Sequence, residues 1–368
     1  MTQAVTLAQL GGADTTLPFR NRIINGDMRI DQRNAGASVS LASSAYATDR
    51  FAWHDSNEAG KAVGTLQQVS DAPVNFSYSL RLTTTTAKTS TGVANRAQFR
   101  PYPEGYNVAD FNWGTANARS VTLSFWVKAS ATGTYPVALV NQTEDRSYVT
   151  TYTVNAISTW EYKTITIPGC TDGAWDKTSG IGIRLTFDMG SGSNYVAPTA
   201  NTWATGWYFS VAGVNKPVSV LNSTWQITGV QLEIGTAATA FETRPITTEL
   251  QLCQRYFYKT YNTEVAVGTN TSVGSIYCET LADGTLARLK PFNPRLPVSM
   301  RATPSVTLYT QTGTAGAINV YSNSASTLTV SSVQNHGTNS FFSYIQTSTN
   351  AVAAQTYELH ATASAEIA

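Results

Sequence analysis

The chain has 368 residues and a formal net charge of +1, from 24 Lys+Arg against 23 Asp+Glu, and only 13% of it is charged. That is about half the usual share for a soluble domain; with no Lys/Arg cluster of five or more, it excludes an electrostatic nucleic-acid binder. No apolar run approaches the roughly 18–20 residues that cross a bilayer, and an aromatic content of 11% excludes a disordered chain.

Residues 1–18 stand apart. Met1 to Thr16 is small and polar, with Gly11-Gly12 inside and Pro18 after it. Such a segment does not fold alone; it is a loose terminus or is pinned onto a neighbour. It has no basic stretch followed by an apolar one, so no secretory signal is expected. Strand patterns then dominate. Val121–Val127 alternates apolar and polar residues before its last pair, Tyr162–Ile167 alternates up to Pro168-Gly169, and Ile181–Phe187 and Trp225–Ile234 repeat the pattern. Period-2 alternation places one face in a core and the other in solvent. Trp126, Trp160 and Trp225, in or beside these strands, are expected in that core. Many short strands with Gly/Asn/Ser breaks predict a β-sandwich rather than βαβ units.

One segment differs. Thr248 and Gln251 have capping-box spacing just after Pro245. Leu250, Cys253 and Phe257 then form a helical stripe. A short helix is expected over about 247–256, running into the aromatic strand Tyr256–Tyr261. Ser305–Tyr309, Ser326–Val330 and Tyr357–Ala361 return to strand patterns. No fixed-period repeat exists, which argues against a propeller or a parallel β-helix.

Chemistry is sparse. The three histidines, His54, His336 and His360, lie near no nucleophile motif, and no catalytic residue is expected. Glu144 with Asp145, Asp172 with Asp176, and Glu233 with Glu242 could be acid pairs, but turn structure accounts for such pairs as well. No His or Cys spacing suggests a transition metal; a calcium near Asp172, Asp176 or Asp188 is conceivable without being demanded. No metal and no cofactor are expected. Cys170, Cys253 and Cys278 read as buried thiols, a bridge between two of them being the alternative. The aromatics say more. Trp175, Tyr195, Trp203 and Trp207 fall within the Gly/Ser/Asn/Thr-rich stretch 169–207. Aromatic faces on loops stack against the apolar face of a sugar ring, with amide and hydroxyl groups nearby to bond its hydroxyls. These four are the candidate glycan-binding residues. The alternative is that they plug the open ends of the sandwich.

Two blocks carry a resemblance. The first is Asn21-Arg22-Ile23-Ile24-Asn25-Gly26-Asp27-Met28-Arg29-Ile30-Asp31-Gln32-Arg33, followed by Tyr46–Phe51. The second is Val230–Gly235, then Ala240-Phe241-Glu242-Thr243-Arg244-Pro245, then Glu249–Phe257. Together, in this order and spacing, they resemble tail fibre and receptor-binding proteins of tailed bacteriophages and related prophage structural proteins. The region 20–243 is similar to a carbohydrate-binding-module jelly roll of the galactose-binding-like kind. Asn25-Gly26-Asp27 opens the first strand, Trp160 precedes a mid-domain strand, and Val230-Gln231-Leu232-Glu233 forms the closing one.

The expected fold is therefore all-β: a jelly-roll β-sandwich followed by a short helix and a second, smaller C-terminal β-sandwich domain. The expected domains are a virion-docking segment at 1–19, the jelly roll at 20–245, a helix and linker at 246–262, and the C-terminal β domain at 263–368. The resemblance implies a non-enzymatic virion protein, made in the host cytoplasm without a signal peptide. It implies a homotrimer that meets other virion proteins through its N-terminal segment and host surface polysaccharide elsewhere. It implies neither nucleic-acid binding nor membrane insertion. A capsid-decoration or head-fibre role is the alternative, and a polysaccharide depolymerase a further one.

Overall fold

The computed structural model describes residues 19–41, 45–56, 62–88, 92–280, 288–291, 295–321, 323–334, 336–341, 344–347 and 355–367. The docking segment expected at 1–19 lies outside them but for Phe19. Contacts divide the chain between Arg244 and Pro245, and residues Ile30–Ala37 belong with the second unit.

The first unit is a two-sheet antiparallel sandwich. Its strands are β1 (Val39–Ser40), β2 (Ala45–Thr48), β3 (Phe51–Asp55), β4 (Val63–Val69), β5 (Ser79–Thr86), β6 (Ala97–Pro101) and β7 (Val121–Ala129). They continue with β8 (Gly133–Val140), β9 (Arg146–Val154), β10 (Glu161–Ile167), β11 (Arg184–Asp188), β12 (Trp203–Thr205) and β13 (Thr224–Ile234). One sheet runs β1-β4-β5-β13-β7-β10 and the other β12-β9-β8-β11-β6-β3-β2. The chain crosses repeatedly from one sheet to the other in a jelly-roll arrangement; the strand patterns predict the sandwich, and the resemblance implies the jelly roll. Leu80, Leu82, Leu123, Phe125, Val127, Trp225 and Ile227 of the first sheet meet Trp53, Phe99, Val137, Leu139, Tyr152, Leu185 and Phe187 of the second. Every one of them sits on the inward parity of its strand. Phe99 stacks on Trp225 with ring centroids 5.4 Å apart.

The Asn21–Asp27 block is part of this packing. Asn21, Asn25 and Asp27 are buried. Asn21 Nδ2 donates to Val230 O at 3.0 Å and its Oδ1 accepts from the amides of Ile23 and Leu232. Asn25 Nδ2 donates to Asp49 O at 2.9 Å. Buried Arg244 donates to Asn21 O and lies over the Phe19 ring, 4.8 Å from its centroid. These polar side chains satisfy backbone groups that burial would otherwise strand. The motif thus fastens the opening segment to β13.

The first unit also holds a short helix, α1 (Gly105–Val108), and the second carries α2 (Ile246–Gln254). The expected capping box does not form: Pro245 is the N-cap, without a side-chain cap bond, and Thr248 lies inside the helix. The helix runs Ile246–Gln254, starting one residue before the expected 247 and ending two before the expected 256. Next come β14 (Phe257–Lys259), β15 (Ile276–Thr280), β16 (Arg288–Pro291), β17 (Ser305–Tyr309), β18 (Ala317–Val320), β19 (Asn323–Gln334), β20 (Tyr344–Thr347) and β21 (Thr356–Ser364). Their order is β14-β21-β15-β16-β20-β19-β18, with β17 also pairing with β21 and β18 pairing back onto β21. The ring encloses Leu289, Ile318, Ile345, Tyr357 and Leu359. Cys170, Cys253 and Cys278 are all buried as thiols.

Candidate functional site

The four candidate aromatics separate into two pairs, and Trp203 lies in strand β12 rather than on a loop. Trp175 and Trp203 meet at 5.5 Å between centroids, and both pack edge-on against Trp113, at 4.7 and 5.2 Å. Their indole N–H groups donate inward, Trp175 to Asp172 O at 3.1 Å and Trp203 to Pro168 O at 2.8 Å. Both abut the sandwich core, and the space beneath Trp175 is only about 10 Å³. Tyr195 and Trp207 lie elsewhere. They flank buried Phe209 and pack on Ala138, Val140 and Val149, on the outer face of the seven-stranded sheet. The Arg96 guanidinium sits over Trp207, 4.5 Å from the ring.

An open aromatic groove occurs on the other sheet. In β7, Leu123, Phe125 and Val127 point inward, so Ser124, Trp126 and Lys128 point outward. In β10, Tyr162 has outward parity and is 43% exposed. Tyr162 and Trp126 are direct cross-strand partners, with centroids 5.4 Å apart. The expectation that Trp126 and Trp160 are core is therefore wrong, while Trp225 is fully buried. Strand parity decides it: Trp126 shares its face with Ser124 and Lys128, and a tryptophan's size does not change the side it is on. Trp160 lies on the same face as Lys128, whose ammonium is 5.3 Å from its ring centroid.

Beyond Trp126 the floor crosses to β13, whose pairing with β7 shifts register between Thr228 and Gln231. Gly229 sits in this bulge with φ +61°. A Cβ there would lie 2.7 Å from Phe76 Cζ and 3.1 Å from Trp126 Cδ1. Glycine thus lets two aromatic rings close over the bulge. Thr228 Oγ1 donates to Tyr78 O at 2.7 Å, holding the loop that carries Phe76. The far wall is residues 238–243. Gln231 Oε1 accepts from the Glu242 amide, and Glu233 accepts from the amide and hydroxyl of Thr239. That bonding presents Phe241 edge-on to Phe76, centroids 5.2 Å apart. The groove so formed has a volume of about 560 Å³, within the range of small-molecule sites.

The Lys128 charge on this face is compensated. Lys128 Nζ bonds Asp71, which also accepts from Trp160 Nε1 at 3.3 Å. Burial pushes the Asp71 carboxyl up, but the hydrogen bonds from Lys128, Trp160 and Gln226 outweigh it and leave it below its ordinary value.

The acids read as possible pairs are held by bonds of their own. Asp172 pairs with Arg146 at 2.9 Å, Glu144 with Arg184 at 3.3 Å, and Asp145 accepts from Asn141 and Thr143. Asp176 accepts from its own neighbour Thr178, and Glu242 from the Asn21 amide. Asp188 is fully buried and accepts from Ser191. Among the described residues no three His, Cys, Asp or Glu side chains converge. His54 bonds the Tyr102 hydroxyl at 2.8 Å; burial first, then Arg100, Arg96 and Arg184, lower its pKa to about 3. His360 is stacked on Tyr261 at 3.8 Å, and burial lowers its pKa also.

No protein-family model matches the chain, and no curated protein matches it. Solved structures do show likenesses. The enzymatically active domain of tailspike protein 4 of bacteriophage CBA120 is 13% identical, with a TM-score of 0.31, over 59% of this chain and 22% of that one. A family 4 carbohydrate-binding module is 16% identical, with a TM-score of 0.29, over 58% of this chain and 99% of that one. A family 11 module from Clostridium thermocellum, in complex with a mixed-linked tetrasaccharide, is 10% identical, with a TM-score of 0.27, over 55% of this chain and 98% of that one. At such scores no site transfers from these proteins.

Proposed function

We propose that this is a non-enzymatic bacteriophage virion protein, a tail fibre or receptor-binding protein, that attaches to a host-surface glycan through the groove of the six-stranded sheet. One observation carries the glycan site: Trp126 and Tyr162 form an outward-facing aromatic pair beside Phe76 and Phe241, in a groove rimmed by hydroxyl and amide side chains. Such a surface stacks sugar rings and bonds their hydroxyls. The virion assignment, the homotrimer and docking through residues 1–19 rest on the resemblance of the two sequence blocks. A low-charge surface suits a particle protein working outside the cell, since its contacts depend little on salt. Three copies would turn weak sugar contacts into avid attachment.

The test is binding of the full chain to immobilised bacterial surface polysaccharides, with Trp126→Ala beside it. Binding that Trp126→Ala abolishes, without release of reducing sugar, is the expected result. Binding that survives the substitution would remove the groove from the function, and released sugar would make the protein a depolymerase.

A further inference from the structure

We infer that the groove selects an uncharged segment of sugar chain, laid across β10, β7 and β13; this rests on the glycan-binding reading above and adds the class of sugar. The aromatic row runs across the strands. Tyr162 and Trp126 are direct partners on β10 and β7, and the glycine of the β13 bulge brings Phe76 alongside Trp126. Neighbouring strands lie about 4.8 Å apart, so the row is an elongated strip rather than a single ring-sized spot. A chain of sugars fits a strip; an isolated small molecule would use one end of it.

Charge decides the class. None of the described residues lining the groove is Asp, Glu, Lys or Arg. The nearby cation, Lys128, is bonded to Asp71 on the same face. The Glu233 carboxylate, behind the far wall, accepts from Thr239 and lies 3.5 Å from the Arg20 guanidinium. A uronate or sialate carboxylate entering the groove would lose water and find no cation to replace it, a loss that apolar contact does not offset. A neutral sugar places its C–H face on Trp126 and Tyr162 and its hydroxyls within reach of polar groups such as Asn75, Ser124 and Thr243. The net charge of +1 adds no long-range attraction for polyanions.

The experiment is affinity electrophoresis of the full chain in native gels containing a neutral polysaccharide (dextran, galactomannan or laminarin) or an acidic one (alginate or polygalacturonate), at low and high salt. Trp126→Ala and Tyr162→Ala run beside the wild type, with circular dichroism as the folding control. The expected result is retardation by at least one neutral polymer, insensitive to salt and weakened about tenfold or more by each substitution. Retardation by acidic polymers alone, abolished by the same substitutions, overturns the selectivity and leaves the glycan site standing. Retardation unchanged in both variants removes the groove. No retardation by any polymer overturns the selectivity and the glycan reading together. Substitutions that instead dissociate an oligomer in sedimentation would make the groove a contact between copies and overturn the inference.

Discussion

Trp225 of β13 donates its indole N–H to the hydroxyl of Tyr152 on β9, at 3.0 Å, joining the two sheets through the middle of the sandwich. Both rings are buried. Burial holds the Tyr152 hydroxyl protonated, well above the ordinary tyrosine pKa. Tyr152→Phe leaves the indole N–H without its acceptor in an apolar core. The expected loss is about 1–3 kcal/mol, read as a lower urea midpoint with an unchanged slope.

The tryptophans should divide by role. Trp203, at the start of edge strand β12, packs on the core beside Trp113 and Trp175. Trp203→Ala should destabilise by about 3 kcal/mol, toward the low end of buried aromatic truncations because the ring is only partly buried. Trp126→Ala, on the outer face, should cost about 1 kcal/mol or less. Thermal denaturation of the two variants reads the contrast. Equal losses would mean that Trp126 is a packing residue.

Gly229 should resist substitution. Gly229→Ala puts a Cβ at positive φ and 2.7 Å from Phe76 Cζ. The left-handed backbone alone costs an ordinary residue about 1–2 kcal/mol. A lower melting temperature together with altered near-ultraviolet circular dichroism is expected, because Phe76 and Trp126 must move.

His54 makes stability depend on pH. Its pKa falls from the ordinary 6.5 to about 3 in the folded chain. Above pH 6.5 the imidazole is neutral in both states and contributes no pH dependence. As pH falls from 6.5 toward 3, the unfolded chain takes up a proton that the folded one refuses. Stability is therefore lost across that window, by at most about 1.4 kcal/mol per pH unit from this group. Melting temperatures measured from pH 7 down to pH 4 should fall more steeply for the wild type than for His54→Gln. Parallel slopes would show that other groups set the acid response.

The strand patterns were legible because alternation is local. Val121–Val127, Tyr162–Ile167 and Trp225–Ile234 lie within β7, β10 and β13, and their aliphatic positions face the core; the expected solvent face fails in β13, where Gln226, Thr228, Gln231 and Glu233 are buried too, covered by the loops that pack on that sheet. The same parity marks Trp126 as outward-facing. Expecting a tryptophan in a strand to be buried hid that signal. The floor at Gly229 and the wall at Phe241 were not legible, because they meet through a bulge and through side-chain bonds from Gln231 and Glu233.

The sequence by itself determined an all-β chain, a short helix after Pro245 and neutral, weakly charged surfaces, since these follow from composition and from periodicities of a few residues. Only the tertiary structure decided which aromatics share a site. It placed Trp175 and Trp203 against the core beside Trp113, Tyr195 and Trp207 on the outer face of one sheet, and Trp126 and Tyr162 on the other. It also showed the Asn21–Asp27 block to be a buried fastening through Asn21, Asn25 and Arg244. The reason is physical: alternation fixes the side of a strand on which a residue lies, whereas neighbours across strands depend on sheet order and register, which the whole fold sets.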